Sequence, residues 1–171
     1  MKSLTFDISS LMVKGPGASI AYSFECGETI EGINSTKPII GKVTIMMAEK
    51  AVNVEVTKTY TTVEMICAKC LEHFDQKIEI DTCERMYYLN APRDINDPSD
   101  VFLINKKYLT VDISEMLRQE LILHFPVISV CSPKCKGICQ KCGNIIGENK
   151  CDCQDNDEQN KPLAKLKSLL K

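Results

Sequence analysis

Six cysteines fall within CSPKCKGICQKCGNIIGENKCDC, the stretch from Cys131 to Cys153. Thiols at that density serve cross-linking, redox chemistry or metal binding, and the rest of the chain has to choose among them. The opening MKSLTFDISSLMVKG has polar and acidic residues where a secretory leader needs an apolar core. No later run approaches the roughly 18 apolar residues of a membrane span. The expected location is therefore the cytoplasm, with no membrane partner. Thiols stay reduced there, and a chain of 171 residues with 44% apolar content can build a core without covalent staples. Metal ligation is the reading that survives.

Ten cysteines occur, at 26, 67, 70, 83, 131, 135, 139, 142, 151 and 153. Cys26 and Cys83 stand alone between strand-forming residues and are expected to be small core hydrophobes. The other eight are grouped. Cys139-Gln140-Lys141-Cys142 is followed by Gly143, which can take positive φ and let the turn curl under an ion, with each thiolate about 2.3 Å from a tetrahedral Zn²⁺. Its complement is Cys151-Asp152-Cys153. On a straight strand two such sulfurs would lie roughly 7 Å apart, so this pair requires a local turn. Pro133 and Gly137 prevent one helix from carrying Cys131, Cys135, Cys139 and Cys142 on a common face. Cys131 and Cys135 are better matched to Cys67-Ala68-Lys69-Cys70, a pair otherwise without a complement. One or two zinc ions per chain follow. The site joining Cys67 and Cys70 to Cys131 and Cys135 would close a long loop between Cys70 and Cys131, and its loss should loosen the core.

Elsewhere the first ninety residues alternate with period two. VTIMM, VNVEV and TKTYTTVEMI read as strands, KIEIDTCERMYYL (77–89) as another, and Gly15-Pro16-Gly17 and Gly32 as turns. APRDINDPSD (91–100) reads as a mobile surface loop. In TVDISEMLRQELILHFP, Ile113, Met116, Leu117 and Leu121 have helical spacing, Asp112 and Glu115 resemble a capping box, and Pro126 ends the helix. After Cys153 a polar linker leads to a short helix opened by Pro162, with Leu163, Leu166 and Leu170 on one side. The expected fold class is α+β: a curved antiparallel sheet with one packing helix, a C-terminal zinc-ribbon-like segment and a short terminal helix. Its expected divisions are 1–130, 131–153 and 154–171.

Net charge is −2, which does not mark the whole molecule as a nucleic-acid binder. Residues 61–130 carry seven basic against twelve acidic side chains, and residues 131–171 eight basic against five acidic, so an anionic partner should meet the C-terminal end. No Ser-His-Asp set, phosphate loop or distinctive carboxylate pair is visible, and neither an enzyme activity nor a small-molecule substrate is expected. His73, shortly after Cys70, is read as an exposed strand residue, and His124 as a helix C-terminal residue favoured by the dipole. The competing function is a thiol-disulfide oxidoreductase or redox sensor using Cys67 and Cys70. Such a pair belongs at a helix N-terminus, whereas LEHFDQKIEI, which follows, alternates like a strand.

CAKCLE at 67–72, VDISEMLRQELILHFPVISVC at 111–131, CKGICQKCG, CDC and a leucine-rich end, in that order, resemble the YceD family, the bacterial and plastid large ribosomal RNA subunit accumulation proteins. The resemblance spans roughly residues 60 to 171. Lys69 stands where the family commonly has Arg, and Gln140 where it commonly has Pro. A lysine offers phosphate a point charge rather than a bidentate fork. The resemblance implies a non-enzymatic, zinc-binding factor supporting accumulation of large-subunit ribosomal RNA. Its expected partner is that RNA or its precursor particle, met directly or through a ribosomal protein. Lys134, Lys136 and Lys141, on a segment held rigid by zinc, are the expected phosphate contacts.

Overall fold

The alternating segments come together as a five-stranded sheet in the order β2-β3-β4-β5-β6. The structure, a computed structural model, describes residues 4–27, 30–92, 101–146, 151 and 153. The expected loop from residue 93 onward, and the expected terminal helix, lie outside those residues. In chain order the elements are β1 (Thr5–Asp7), α1 (Ser9–Lys14), β2 (Ser19–Cys26), β3 (Ile39–Met47), β4 (Ala51–Ile66), β5 (His73–Tyr88), β6 (Phe102–Leu103), β7 (Thr110–Asp112) and α2 (Ser114–Leu123). The protein is mostly β sheet with few helices.

VNVEV and TKTYTTVEMI form one strand rather than two. Buried positions run Val52, Val54 and Val56, then change parity to Thr59, Thr61 and Val63. A bulge makes the change. β3 pairs Ile40 with Tyr60 but Lys42 with Thr57, and Lys58 takes φ +50°. One extra residue on β4 restores its apolar positions to the core side and bends the strand. The buried hydroxyls on that face are satisfied: Thr61 donates to the Lys37 carbonyl at 2.9 Å and Thr59 to the Thr57 carbonyl at 3.5 Å.

The inner face of the sheet supplies Ile39, Val43, Ile45, Val54, Ile78, Ile80 and Tyr87. α2 packs on β5 and contributes Met116, Leu117 and Leu121, all fully buried, as its helical spacing requires. Burying each such side chain stabilises the fold by roughly 1.5–3 kcal/mol. Cys26 and Cys83 belong to this core, consistent with their expected role as small hydrophobes.

Three expectations need correction. The sheet is not wholly antiparallel: Tyr87 pairs with Phe102 and Tyr88 with Leu103 in parallel. The chain between Tyr88 and Phe102 is long enough for the crossover that parallel pairing demands. The packing helix is not alone, because α1 buries Leu11 under the same core; its six residues are too few to show a helical period. Finally, Glu115 does not complete a capping box. Asp112 Oδ1 accepts from the Ser114 N–H at 2.8 Å, but Glu115 turns along the helix to Arg118 at 2.7 Å and Gln119 at 2.9 Å, where an ion pair outcompetes a backbone amide. β1 and β7, too short to alternate legibly, pair antiparallel through Phe6 and Val111.

The chain divides into two compact units. One is Met1–Met65 with His73–Ile128, and the other is Ile66–Glu72 with the chain from Ser129 onward. The second therefore takes the connection between β4 and β5 from far upstream. All eight grouped cysteines lie in it.

Candidate metal centre

Cys67 and Cys70 lie in the short connection from Ile66 to His73, a turn between two strands and not the start of a helix. The Leu71 N–H donates to the Cys67 carbonyl at 2.9 Å and the Cys67 N–H to the Glu72 carbonyl at 2.9 Å, closing the turn. Ser129 fixes the downstream segment beside it. The Ala68 N–H donates to the Ser129 carbonyl at 2.8 Å, and the Ser129 hydroxyl to the Ile66 carbonyl at 2.8 Å. Two residues later the chain presents Cys131. A turn in which the Cys135 N–H donates to the Ser132 carbonyl at 3.0 Å presents Cys135.

The four sulfurs converge. Cys67 Sγ lies 3.9 Å from Cys135 Sγ, Cys70 Sγ lies 3.7 Å from Cys131 Sγ, and all four fall within 4.8 Å of one another. Cys139, Cys142, Cys151 and Cys153 form a second group under the same limit, with 3.6 Å between Cys142 and Cys151. The sulfurs of Cys151 and Cys153 are thus much closer than the roughly 7 Å of a straight strand. Its first turn repeats the geometry of the first group: the Gly143 N–H donates to the Cys139 carbonyl at 2.8 Å, with Gly143 at φ +74°. An antiparallel bridge between Ile138 and Ile145 backs it.

Sulfurs at the corners of a tetrahedron around an ion 2.3 Å away stand about 3.8 Å apart, and the close pairs in both groups match that edge. A disulfide needs about 2.05 Å, and none of the ten cysteines is in one. Charge crowding gives the same answer. The Cys67 thiol is pulled down to about 6, chiefly by the backbone N–H of Cys131 and further by those of Cys70 and Lys69. Cys139 falls to about 6 under the N–H groups of Cys142 and Lys141. Cys131 is pushed up to about 12 by desolvation and then by the sulfurs around it, and Cys153 to about 12 by the sulfur of Cys142 first. One thiol of each group is pulled down while Cys70 and Cys131 in the first and Cys151 and Cys153 in the second are pushed up, because thiolates crowded into so small a volume repel one another without a cation. Both groups could hold a metal ion.

The expected phosphate contacts divide between the two groups. Lys134 and Lys136 line a cleft of about 330 Å³ with Cys70, Cys131, Cys135 and Ile145, beside the first group. Lys141 belongs to the Cys139–Cys142 turn of the second. Lys69 donates to the Cys135 carbonyl at 3.3 Å, a contact within the unit that its sequence position did not suggest. Gly137, expected only to break a helix, also makes a close approach: at φ +81°, a Cβ there would sit 3.0 Å from the Lys69 carbonyl oxygen. His73 is exposed and pairs with Glu64 at 3.5 Å, outside both groups. His124 caps the end of α2, its Nδ1 2.9 Å from the Glu120 carbonyl.

A sequence profile described as "Large ribosomal RNA subunit accumulation protein YceD" matches residues 56–170. The chain is 34% identical over 62 residues to the Large ribosomal RNA subunit accumulation protein YCED homolog 1, chloroplastic, of Arabidopsis thaliana, covering 35% of this chain and 19% of that protein. To the protein of the same name in Zea mays it is 36% identical over 62 residues, covering 36% of this chain and 20% of the relative. The chain thus spans about a fifth of the length of the curated relatives it matches. No solved structure matches it. No helix among the described residues is long and apolar enough to cross a membrane. Because the profile takes in all eight grouped cysteines and most of the chain, the protein belongs to the YceD family.

Proposed function

We propose that each cysteine group holds one Zn²⁺, making the second unit a zinc-ribbon-like module. In this reading the protein is a non-enzymatic, cytoplasmic factor that supports accumulation of large-subunit ribosomal RNA. The observation that carries the metal reading is the sulfur spacing of 3.6–3.9 Å in two four-cysteine groups. Zinc supplies a fixed tetrahedral centre and no redox chemistry. The chain's own contribution is to hold Lys134, Lys136 and Lys141 on a backbone already ordered before RNA arrives, so that binding loses little entropy. Each tetrathiolate centre has a formal charge of about −2, which offsets part of the lysine field and keeps affinity for RNA modest.

Elemental analysis tests the metal: two zinc per chain are expected, and metal-free protein with a native fold and eight reactive grouped thiols would overturn the assignment. For the partner, Lys134, Lys136 and Lys141 are changed together to Ala and binding to large-subunit RNA or its precursor particle is followed against salt. Weaker binding with a shallower salt slope is expected at unchanged zinc content. Unchanged binding at every salt concentration would move the contact to a ribosomal protein. The oxidoreductase alternative for Cys67 and Cys70 is disfavoured by their place in a strand-to-strand turn. Disulfide reductase turnover by the metal-free protein would restore it.

A further inference from the structure

The two cysteine groups have the same donors but are not equally protected. In the first, Cys67 and Cys70 are buried and Cys131 is the exposed member; in the second, Cys142 and Cys153 are both exposed and Cys139 is the buried one. Contacts that involve no sulfur tie distant segments together around the first group, Ala68 to Ser129, Ser129 to Ile66, and Lys69 to Cys135, whereas those around the second, Cys139 to Asn144 and Ile146 to Gly137, stay within one short stretch of chain. Each group has an exposed cysteine beside a second sulfur, Cys131 with Cys70 at 3.7 Å and Cys142 with Cys151 at 3.6 Å, but Cys70 is buried, whereas Cys151 is half-buried and a second exposed thiol, Cys153, lies within the same group. Thiolate oxidation follows access and the presence of a resolving thiol.

From this asymmetry we infer that the second group is a peroxide-responsive, metal-releasing site, whereas the first is a permanent structural one. The inference rests on the proposed reading that both groups carry zinc. The Cys142 thiolate attacks hydrogen peroxide: an S–O bond forms, the O–O bond breaks, and hydroxide leaves. The Cys151 thiolate then attacks the Cys142 sulfur: an S–S bond forms, the S–O bond breaks, and a second hydroxide leaves. The two thiolates lose two electrons and the peroxide gains two, while solvent protonates both hydroxides. With two of its four donors consumed, the group releases its ion. Lys141, inside the opened turn, changes its setting, whereas Lys134 and Lys136 beside the first group keep theirs.

The test uses the intact parent protein. Zinc is quantified first, then hydrogen peroxide is titrated in the presence of a chromogenic zinc indicator, and disulfides are mapped by peptide mass spectrometry. One of two zinc ions should be released early, together with a Cys142–Cys151 disulfide, while Cys67, Cys70, Cys131 and Cys135 remain reduced and metal-bound. Alkylation by iodoacetamide provides a readout independent of oxidation: Cys142 and Cys153 should be modified before any member of the first group. Release of both ions together, a first disulfide within the Cys67 group, or no release under excess peroxide would each overturn the inference with the zinc reading intact. Fewer than two zinc ions before peroxide is added would instead overturn the zinc reading, and this inference with it.

Discussion

The Leu71 N–H donates to the carbonyl of Cys67 at 2.9 Å from a backbone at φ +61°, the place in its turn that Gly143 occupies opposite Cys139. One turn geometry serves both cysteine groups, but only one has a glycine at the strained position. A non-glycine residue in the left-handed region costs roughly 1–2 kcal/mol, and Leu71 is 63% exposed, so little packing offsets that cost. Leu71→Gly should be no less stable than the parent in denaturant melts. Leu71→Val, β-branched at the same φ, should lose at least about 1 kcal/mol. A Leu71→Gly variant that lost its metal would show that the side chain, not the turn, is what matters there.

Gly137 and Gly143 separate strain from contact. Both have positive φ, but a Cβ at Gly137 meets the Lys69 carbonyl oxygen at 3.0 Å, whereas one at Gly143 meets nothing within 4 Å. Gly143→Ala should therefore cost about 1 kcal/mol, the conformational cost alone. Gly137→Ala should cost about 1 kcal/mol more and speed zinc transfer from the Cys67 group to a chelator. Equal losses for the two variants would remove the role assigned to the Gly137–Lys69 approach.

Removing the metal should loosen the second unit and leave the sheet standing. The buried core is built of residues from Leu4 to Leu121 and includes none of the grouped cysteines. Loosening of the core itself, the expectation from the long loop between Cys70 and Cys131, therefore gives way to a local effect. After chelation, hydrogen exchange should accelerate at Ala68, Leu71, Cys139 and Gly143, and protection at Val54, Ile80 and Leu117 should persist. Global loss of protection would show that the metal supports the core after all.

Cys83 should make the protein less stable in alkali. Burial, then the Glu120 carboxylate, push its thiol up from 9.0 to about 11, with Arg85 acting in the opposite direction. The folded state therefore binds the Cys83 proton more tightly than the unfolded state. Its contribution to stability is complete below pH 9 and is lost as pH rises from about 9 to about 11. The loss is about 2–3 kcal/mol. Tyr87, also raised by burial, adds to the slope at higher pH, so the comparison is between parent and Cys83→Ala. Melts across that range should show a shallower decline for the variant, and identical slopes would count against the titration of Cys83.

Sequence alone determined those features whose cause is local. Alternation in VTIMM and VNVEV specified strands because side chains on a pleated backbone change sides at every residue, and Met116, Leu117 and Leu121 marked a helix because 3.6 residues complete a turn. Cysteine spacing pointed to ligands because a short turn is enough to aim two sulfurs at one point. Tertiary structure alone decided what depends on residues far apart in the chain. The bulge at Lys58 joined two patterns of opposite parity into β4, and the crossover after Tyr88 set β6 parallel to β5. The contacts of Ser129 and Gly137 have no signal in their own neighbourhoods, where Gly137 reads only as a helix breaker, because their partners, Ile66, Ala68 and Lys69, lie more than sixty residues upstream. The unequal burial of the two cysteine groups has the same origin. Exposure is decided by which distant segment covers a sulfur, and the segment over Cys67 comes from the other end of a long loop.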